Sequence, residues 1–289
     1  MSDIRDAVNP MPTLDTARSF LFAPGSDEEK LRKALATVAD AVIADLEDAV
    51  HAERKTEARI TVTRVFGSCA DGGPLRLVRI NGAGTEWFAD DLALLHELPL
   101  DGFVLPKADP DALGAASAAP LPVIAIVETA VGLQASGETA RRQGVAGLVL
   151  GAVDLGLDLG LEPLPGGEHL LFARSKLAMD SVAAGLRGPI DQVWVDTRDS
   201  EGLKADAFRA RALGFRGKAC IHPAQVEPIN SVFRPSEREL EQAQRVVAAY
   251  DAAEADGRGA VALDGELIDY PIVKRARQLL AAAERSDGG

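Results

Sequence analysis

The chain of 289 residues carries 44 acidic against 31 basic side chains, a net charge of −13, with 47% hydrophobic and 26% charged residues. That composition excludes a mostly disordered chain, and the acidic balance argues against nucleic acid or an anionic membrane as partner, because both select a basic face. No apolar run approaches the ~18 residues of a membrane span, and the opening Met1-Ser2-Asp3-Ile4-Arg5-Asp6 lacks the apolar stretch of an export signal, so a cytoplasmic location is expected.

From the N-terminus onward, eight short apolar runs end on polar or charged side chains. Residues 19–22 stop before Pro24-Gly25, residues 41–44 before Asp45 and Glu47, and Leu77-Val78 runs into Arg79 and Asn81. Residues 102–105 precede Lys107, residues 123–127 precede Glu128, and residues 148–151 precede Asp154. Residues 193–195 precede Asp196, and residues 219–221 precede His222. Between the runs lie helical patterns. Ser26 and Glu29 have the spacing of a capping box, opening a helix over 28–39 with an apolar stripe at Leu31, Ala34, Leu35 and Val38. Further helices are expected over 53–66, 86–97, 134–143, 172–185 and 201–213, with the weakest signal over 114–120.

Strands that are apolar throughout, rather than alternating, are covered on both faces. Eight of them in alternation with helices predict an α/β fold, a (β/α)8 TIM barrel whose chemistry sits at the carboxyl ends of the strands. The chain exceeds the ~250 residues of such a barrel by about one segment. We therefore expect a barrel over 15–233 and a C-terminal extension over 234–289. That extension holds a helix over 237–255, the turn-rich Asp256-Gly257-Arg258-Gly259, a short segment over 260–271 and a last helix through Leu280. It could serve as a lid or a subunit contact.

Glu128 and Asp154 follow adjacent strands and should converge at one barrel mouth. Two carboxylates without histidine or cysteine suit Mg2+, which keeps waters and takes further ligands from substrate. Asp154 has the alternative of capping a helix, a role to which Glu128 is poorly suited. Arg79 could grip a carboxylate with both arms of its guanidinium, or form only a surface salt bridge. Asp45, Glu47 and Asp48 crowd one stretch and need compensation from a metal, its waters or bases such as Arg54 and Lys55. His222 is read as a hydrogen-bonded structural group with no catalytic role. Cys69 and Cys220 lack metal or disulfide spacing and are expected to be inert.

Residues 18–25, 39–50, 78–81, 104–107, 126–129, 151–154 and 217–225 form seven segments in register, in a match that runs in order from Arg18 to Leu280. Together they resemble the citrate lyase beta subunit and its stand-alone malyl-CoA and citramalyl-CoA lyase relatives, within the HpcH/HpaI aldolase/citrate lyase superfamily. The resemblance implies a Mg2+-dependent carbon–carbon lyase or synthase working between a 2-oxo acid and a CoA or acyl-carrier thioester. It implies Glu128 and Asp154 as metal ligands, Arg79 as the group binding the oxo-acid carboxylate, and the amides of Ala152, Val153 and Asp154 as further holds on that acid. Glu47 and Asp48 are similar to an acidic pair that orients metal-bound water. Phe22, Lys33 and His222 match places where relatives touch CoA. Asp269, in the C-terminal segment, matches an aspartate that reaches from a neighbouring subunit to act as acid or base, which implies a homotrimer or hexamer. A thioester hydrolase, a free-acid aldolase and a non-catalytic subunit are the alternatives on the same residues.

Overall fold

In the computed structural model, residues 12–70 and 72–287 are described, and the chain divides into one compact unit over Pro12–Phe233 and a second that takes in Arg234 to the C-terminus. In the first unit β1 (Ser19–Pro24), β2 (Ala41–Asp45), β3 (Leu75–Arg79), β4 (Gly102–Leu105), β5 (Val123–Val127), β6 (Val145–Leu150), β7 (Ile190–Asp191) and β8 (Gly217–Cys220) form a closed parallel barrel. Closure is made by β1 on β8, with Ser19 opposite Lys218. The helices are α1 (Glu28–Leu35), α2 (Lys55–Gly67), α3 (Phe88–Leu94), α4 (Pro110–Ala115), α5 (Ala130–Arg141), α6 (Ala152–Leu159), α7 (Leu171–Ala183), α8 (Ser200–Ala212) and α9 (Val226–Phe233).

Strand residues divide by parity into two cores. Phe20, Ile43, Leu77, Val104, Ile124, Ile126, Val149 and Ile190 pack together inside the barrel. Their neighbours Leu21, Val42, Ala44, Val78, Phe103, Leu105, Ala125, Val127, Leu148 and Leu150 pack in the layer shared with the helices. Both faces are dry, which is why these strands read as continuous apolar runs. Continuing the inward parity by two residues leads from Ile43 to Asp45, from Leu77 to Arg79, from Ile126 to Glu128 and from Val149 to Gly151. The inner core therefore delivers its next layer as polar groups at the strand ends.

Two local expectations are corrected and one helix is added. The cap of α1 is Asp27, whose carboxylate accepts from Lys30 N at 3.0 Å, and not Ser26. The segment after β6 forms α6, a helix that the apolar pattern there hides. The seventh strand is Ile190–Asp191, not residues 193–195, and Val195 is 68% exposed. Its position is set by Asp191, a charged residue whose partners come from elsewhere in the chain. Arg174 on α7 holds Asp191 at 2.9 and 3.0 Å and Asp206 on α8 at 2.9 and 3.0 Å, while Lys218 on β8 donates to Asp191 at 2.5 Å and Asp206 at 2.7 Å. All four side chains are buried. Two cations against two anions leave no net charge, so removing one partner strands the others in the dry layer. Lys218→Met should cost about 3–5 kcal/mol in denaturant unfolding; a loss below about 1 kcal/mol would show that the tetrad relaxes around the missing cation.

In the second unit, α10 (Glu237–Ala255) opens with a capping box in which Ser236 and Glu239 satisfy each other's backbone amides. An antiparallel hairpin follows, β9 (Val261–Leu263) and β10 (Glu266–Ile268), turned by Asp264 and Gly265 at φ 52° and 86°. Asp-Gly with both φ positive is the preferred chemistry of a two-residue hairpin turn, a signal present in the sequence beside the glycines of residues 256–259. The last helix is α11 (Tyr270–Asp287), and Ala243, Val246, Tyr250, Ile268, Val273 and Ala276 form this unit's own core.

Candidate active site

At the carboxyl end of the barrel, Arg79 on β3 lies against Asp45 on β2. Its Nε and Nη2 donate to Asp45 Oδ1 and Oδ2 at 2.7 and 2.6 Å, and its Nη1 lies 2.9 Å from Glu47 Oε2. The Phe22 ring lies under the guanidinium, 5.1 Å from ring centre to Cζ. The two-point grip expected of Arg79 is thus present, but it is made on Asp45, and the pair is partly buried rather than a surface bridge. Asp45 also accepts from the amides of Glu47 and Ala49 at 2.9 and 3.2 Å, which folds the chain back so that Glu47 faces Arg79.

Glu128 follows β5, just ahead of Thr129, whose hydroxyl caps α5 by accepting from Gly132 N at 3.0 Å. Its Oε1 accepts from the backbone amide of Lys107 at 2.7 Å, and the Lys107 ammonium donates to Glu47 Oε1 at 2.6 Å. The chain after β6 passes directly over Glu128. A Cβ at Gly151 would come within 2.5 Å of Glu128 Cβ and 2.6 Å of its Oε2, so only glycine fits. Asp154 lies in the first turn of α6, whose N-cap is Gly151, and no side chain caps that helix; the alternative of a capping role for Asp154 is not the one it plays.

Burial, then the charges of Glu47 and Asp154, push the Glu128 carboxyl up to about 7, against the opposing Lys107 amide and ammonium. Glu47 is raised too, chiefly by burial, with Arg79 and Lys107 holding it down. Burial works against the Arg79 charge, but Asp45, Glu47 and Glu128 outweigh it and hold its pKa above the ordinary arginine value. The site is therefore an anion cluster that its own cations do not fully compensate.

The HpcH/HpaI aldolase/citrate lyase family model matches residues 18–223. The chain belongs to this family. Relatives include a (3S)-malyl-CoA thioesterase of Cereibacter sphaeroides, 40% identical over 273 residues, covering 92% of this chain and 94% of the relative. The citrate lyase subunit beta of Escherichia coli is 32% identical over 286 residues, covering 94% of each chain. Among solved structures, CitE from Mycobacterium tuberculosis in complex with magnesium, acetoacetate and coenzyme A superposes with a TM-score of 0.81 at 34% identity, covering 93% of this chain and 99% of that one.

For a family of magnesium-containing structures, the donor set here is sparse. Among the described residues no group of three or more histidine, cysteine or carboxylate side chains is placed to hold a metal. Glu128 and Asp154 nonetheless fit a hard cation that keeps several waters, because the Asp154 charge raises the cost of charging Glu128 and a cation would remove that cost.

Of the remaining expected residues, Ala152 is buried and Val153 and Asp48 are exposed at the same end of the barrel. Lys33 is exposed on α1 and paired with Glu29 at 2.6 Å. His222 is exposed, and its Nδ1 accepts from Ala224 N at 3.2 Å. Asp269 lies in the second unit, and its Oδ1 is buried without a hydrogen-bond partner. Cys220 is buried, with its thiol pushed up by burial, and both cysteines are free.

Sequence reasoning misses what the two lysines around the acidic stretch do. Lys55, expected to neutralise carboxylates, is buried and instead donates to Leu46 O, Glu47 O and Asn81 Oδ1, each at 2.7 Å, with the Trp87 ring 5.0 Å away. Asn81 is in turn held by Asp91, and Asp91 by Arg59. Arg54 pairs with Glu57 rather than with the acidic stretch. The available signal is spacing: Lys55 begins the helix that follows the acidic stretch, and Lys107 lies two residues past the end of a strand.

Proposed function

We propose that the chain is a Mg2+-dependent carbon–carbon lyase or synthase acting on a 3-hydroxyacyl-CoA of the malyl or citramalyl type. The observation that carries this reading is the cluster of Glu128, Glu47 and Asp154 at one barrel end facing Arg79 and Lys107. Glu128 and Asp154 would hold the cation, which when bound supplies a positive charge for the oxygens of the 2-oxo acid. Arg79, fixed by Asp45, keeps its remaining donor directions for the substrate carboxylate, joined by the amides at the start of α6. Glu47 takes the proton of the 3-hydroxyl, with Asp48 beside it. As that proton leaves, the carbon–carbon bond breaks to a 2-oxo acid, and its electron pair passes to the thioester as an enolate. Asp269 returns a proton to the enolate carbon. Phe22, Lys33 and His222 are assigned to contacts with CoA.

Thioester hydrolysis is the second reading, favoured by the thioesterase relatives at 38–40% identity. In that case a water gives its proton to the same carboxylate and attacks the thioester carbonyl, and the CoA thiolate leaves. The purified protein with Mg2+ and (3S)-malyl-CoA or citramalyl-CoA separates the two. A 2-oxo acid and acetyl-CoA without free thiol identifies the lyase. Free CoA with the hydroxy acid identifies the hydrolase, and no turnover of either thioester refutes both.

The contribution of Asp269 is proposed to come from a neighbouring copy in a closed trimer or hexamer. Asp269→Ala should then abolish turnover while Mg2+ still binds, and mixing it with inactive Glu128→Gln should restore part of the activity through hybrid interfaces. A monomer by light scattering, or no recovery after verified subunit exchange, would move the proton donor into the barrel.

A further inference from the structure

By parity Lys107 belongs outside the barrel. Phe103 and Leu105, four and two residues before it, pack in the layer shared with the helices, while Val104 faces in. It reaches the site because the chain turns after β4 with Lys107 at φ +49°, a left-handed conformation found at only one other described non-glycine residue, Asp264 of the hairpin turn. Lysine has no local side-chain bond of the asparagine or aspartate kind to favour that region, so the surrounding contacts must hold it there. On the following residue, Ala108 N donates to Ile126 O at 2.9 Å, pinning the turn to β5. Two bonds result from the one residue: its amide to Glu128 Oε1 at 2.7 Å and its ammonium to Glu47 Oε1 at 2.6 Å, the side chain half-exposed beyond.

We propose that Lys107 is a positioning residue that sets the separation between Glu47 and Glu128, holding Glu47 with its side chain and Glu128 with its strained backbone. The inference rests on the reading of Glu128 as a metal ligand for its Mg2+-binding arm and on the proposed activity for its kinetic arm. The two holds act on different groups, so substitutions should separate them. Lys107→Met removes the side-chain hold and keeps the amide. Lys107→Gly removes the side-chain hold and leaves the left-handed turn free of strain. Lys107→Val, with a β-branched side chain that disfavours positive φ, pulls the amide away from Glu128 as well.

Titration with Mg2+ alone, by calorimetry, reads the backbone hold without any substrate. Affinity should be retained or tightened in Lys107→Met and Lys107→Gly, because a nearby positive charge is lost while the amide bond remains. In Lys107→Val it should fall about tenfold or more, the usual size of a lost supporting contact to a metal ligand. Steady-state kinetics at saturating Mg2+ read the side-chain hold. The kcat of Lys107→Met should fall about 10–100-fold with KM little changed, and Lys107→Arg should recover part of it. Near-ultraviolet circular dichroism of each variant confirms the fold, and Lys107→Gly carries the same test if Lys107→Met does not fold. Equal Mg2+ affinity in Lys107→Val and Lys107→Gly, or an unchanged kcat in folded Lys107→Met and Lys107→Gly, overturns the proposal. The predicted affinity order with no turnover of any thioester would support the positioning role and sink the catalytic reading instead.

Discussion

Glu128→Gln should abolish Mg2+-dependent turnover and, at the same time, make the metal-free protein more stable at pH 8 by about 3 kcal/mol. The two effects share one cause. Glu128 is 2% exposed and faces Glu47 and Asp154, and its carboxyl titrates near 7 against 4.5 for the free side chain. Below the unfolded value the group is protonated in both states and costs nothing. As pH rises toward 7 the unfolded chain has already lost its proton while the native state still holds one tightly, so stability falls by roughly 1.4 kcal/mol for each pH unit that separates the unfolded from the folded titration. Glutamine is uncharged and can still accept from the Lys107 amide. The difference between variant and wild type should therefore be absent below pH 4.5, grow through pH 5–7 and level off above it, as read by urea unfolding in chelator. Wild type should recover its deficit when Mg2+ is added, and the variant should not respond. A wild-type protein fully active in chelator would remove Glu128 from the metal site, and a variant whose advantage over wild type is no larger at pH 8 than at pH 5 would show that its surroundings do not raise the Glu128 carboxyl.

Arg79→Lys is expected to be nearly as damaging as Arg79→Ala, with kcat/KM reduced on the order of 100-fold or more in both. Arg79 binds Asp45 through two parallel bonds of 2.6 and 2.7 Å and reaches Glu47 at 2.9 Å with its third nitrogen. A lysine ammonium carries its three donors on one nitrogen and cannot reproduce the planar fork that makes two parallel bonds to Asp45 while reaching Glu47. Asp45 and Glu47 are 2% and 6% exposed, so the loss strands buried anions as well as loosening the substrate end of the site. Stability should drop in both variants, by about 3–5 kcal/mol for alanine, the range seen when one partner of a buried pair is removed. Full activity in Arg79→Lys would mean that charge alone suffices and that the planar grip on Asp45 has no catalytic consequence.

The barrel is legible in the chain because its cause is local. A strand buried on both faces is mostly apolar, and seven of the eight are marked by such a run, although β8 carries the buried Lys218 and β3 carries Arg76. Glu128, Asp154 and Arg79 are legible for a related reason: a charged residue at or shortly past the carboxyl end of a dry strand stands at that end of the barrel. The seventh strand escapes because it is two residues long and half of it is Asp191, whose burial depends on Arg174 and Lys218, distant in sequence. The same limit applies at the site. Sequence places Arg79 near a carboxylate but does not tell substrate from Asp45. It marks Lys107 as a strand-end lysine but, by parity, would send it away from Glu47 and Glu128. Period and polarity along the chain determine which residues stand at the barrel mouth, since they reflect burial residue by residue. Which of those residues touch is decided only when strands from distant parts of the chain come into register and a turn at φ +49° redirects one backbone amide, because pairing energies and backbone handedness leave no mark on hydrophobic pattern.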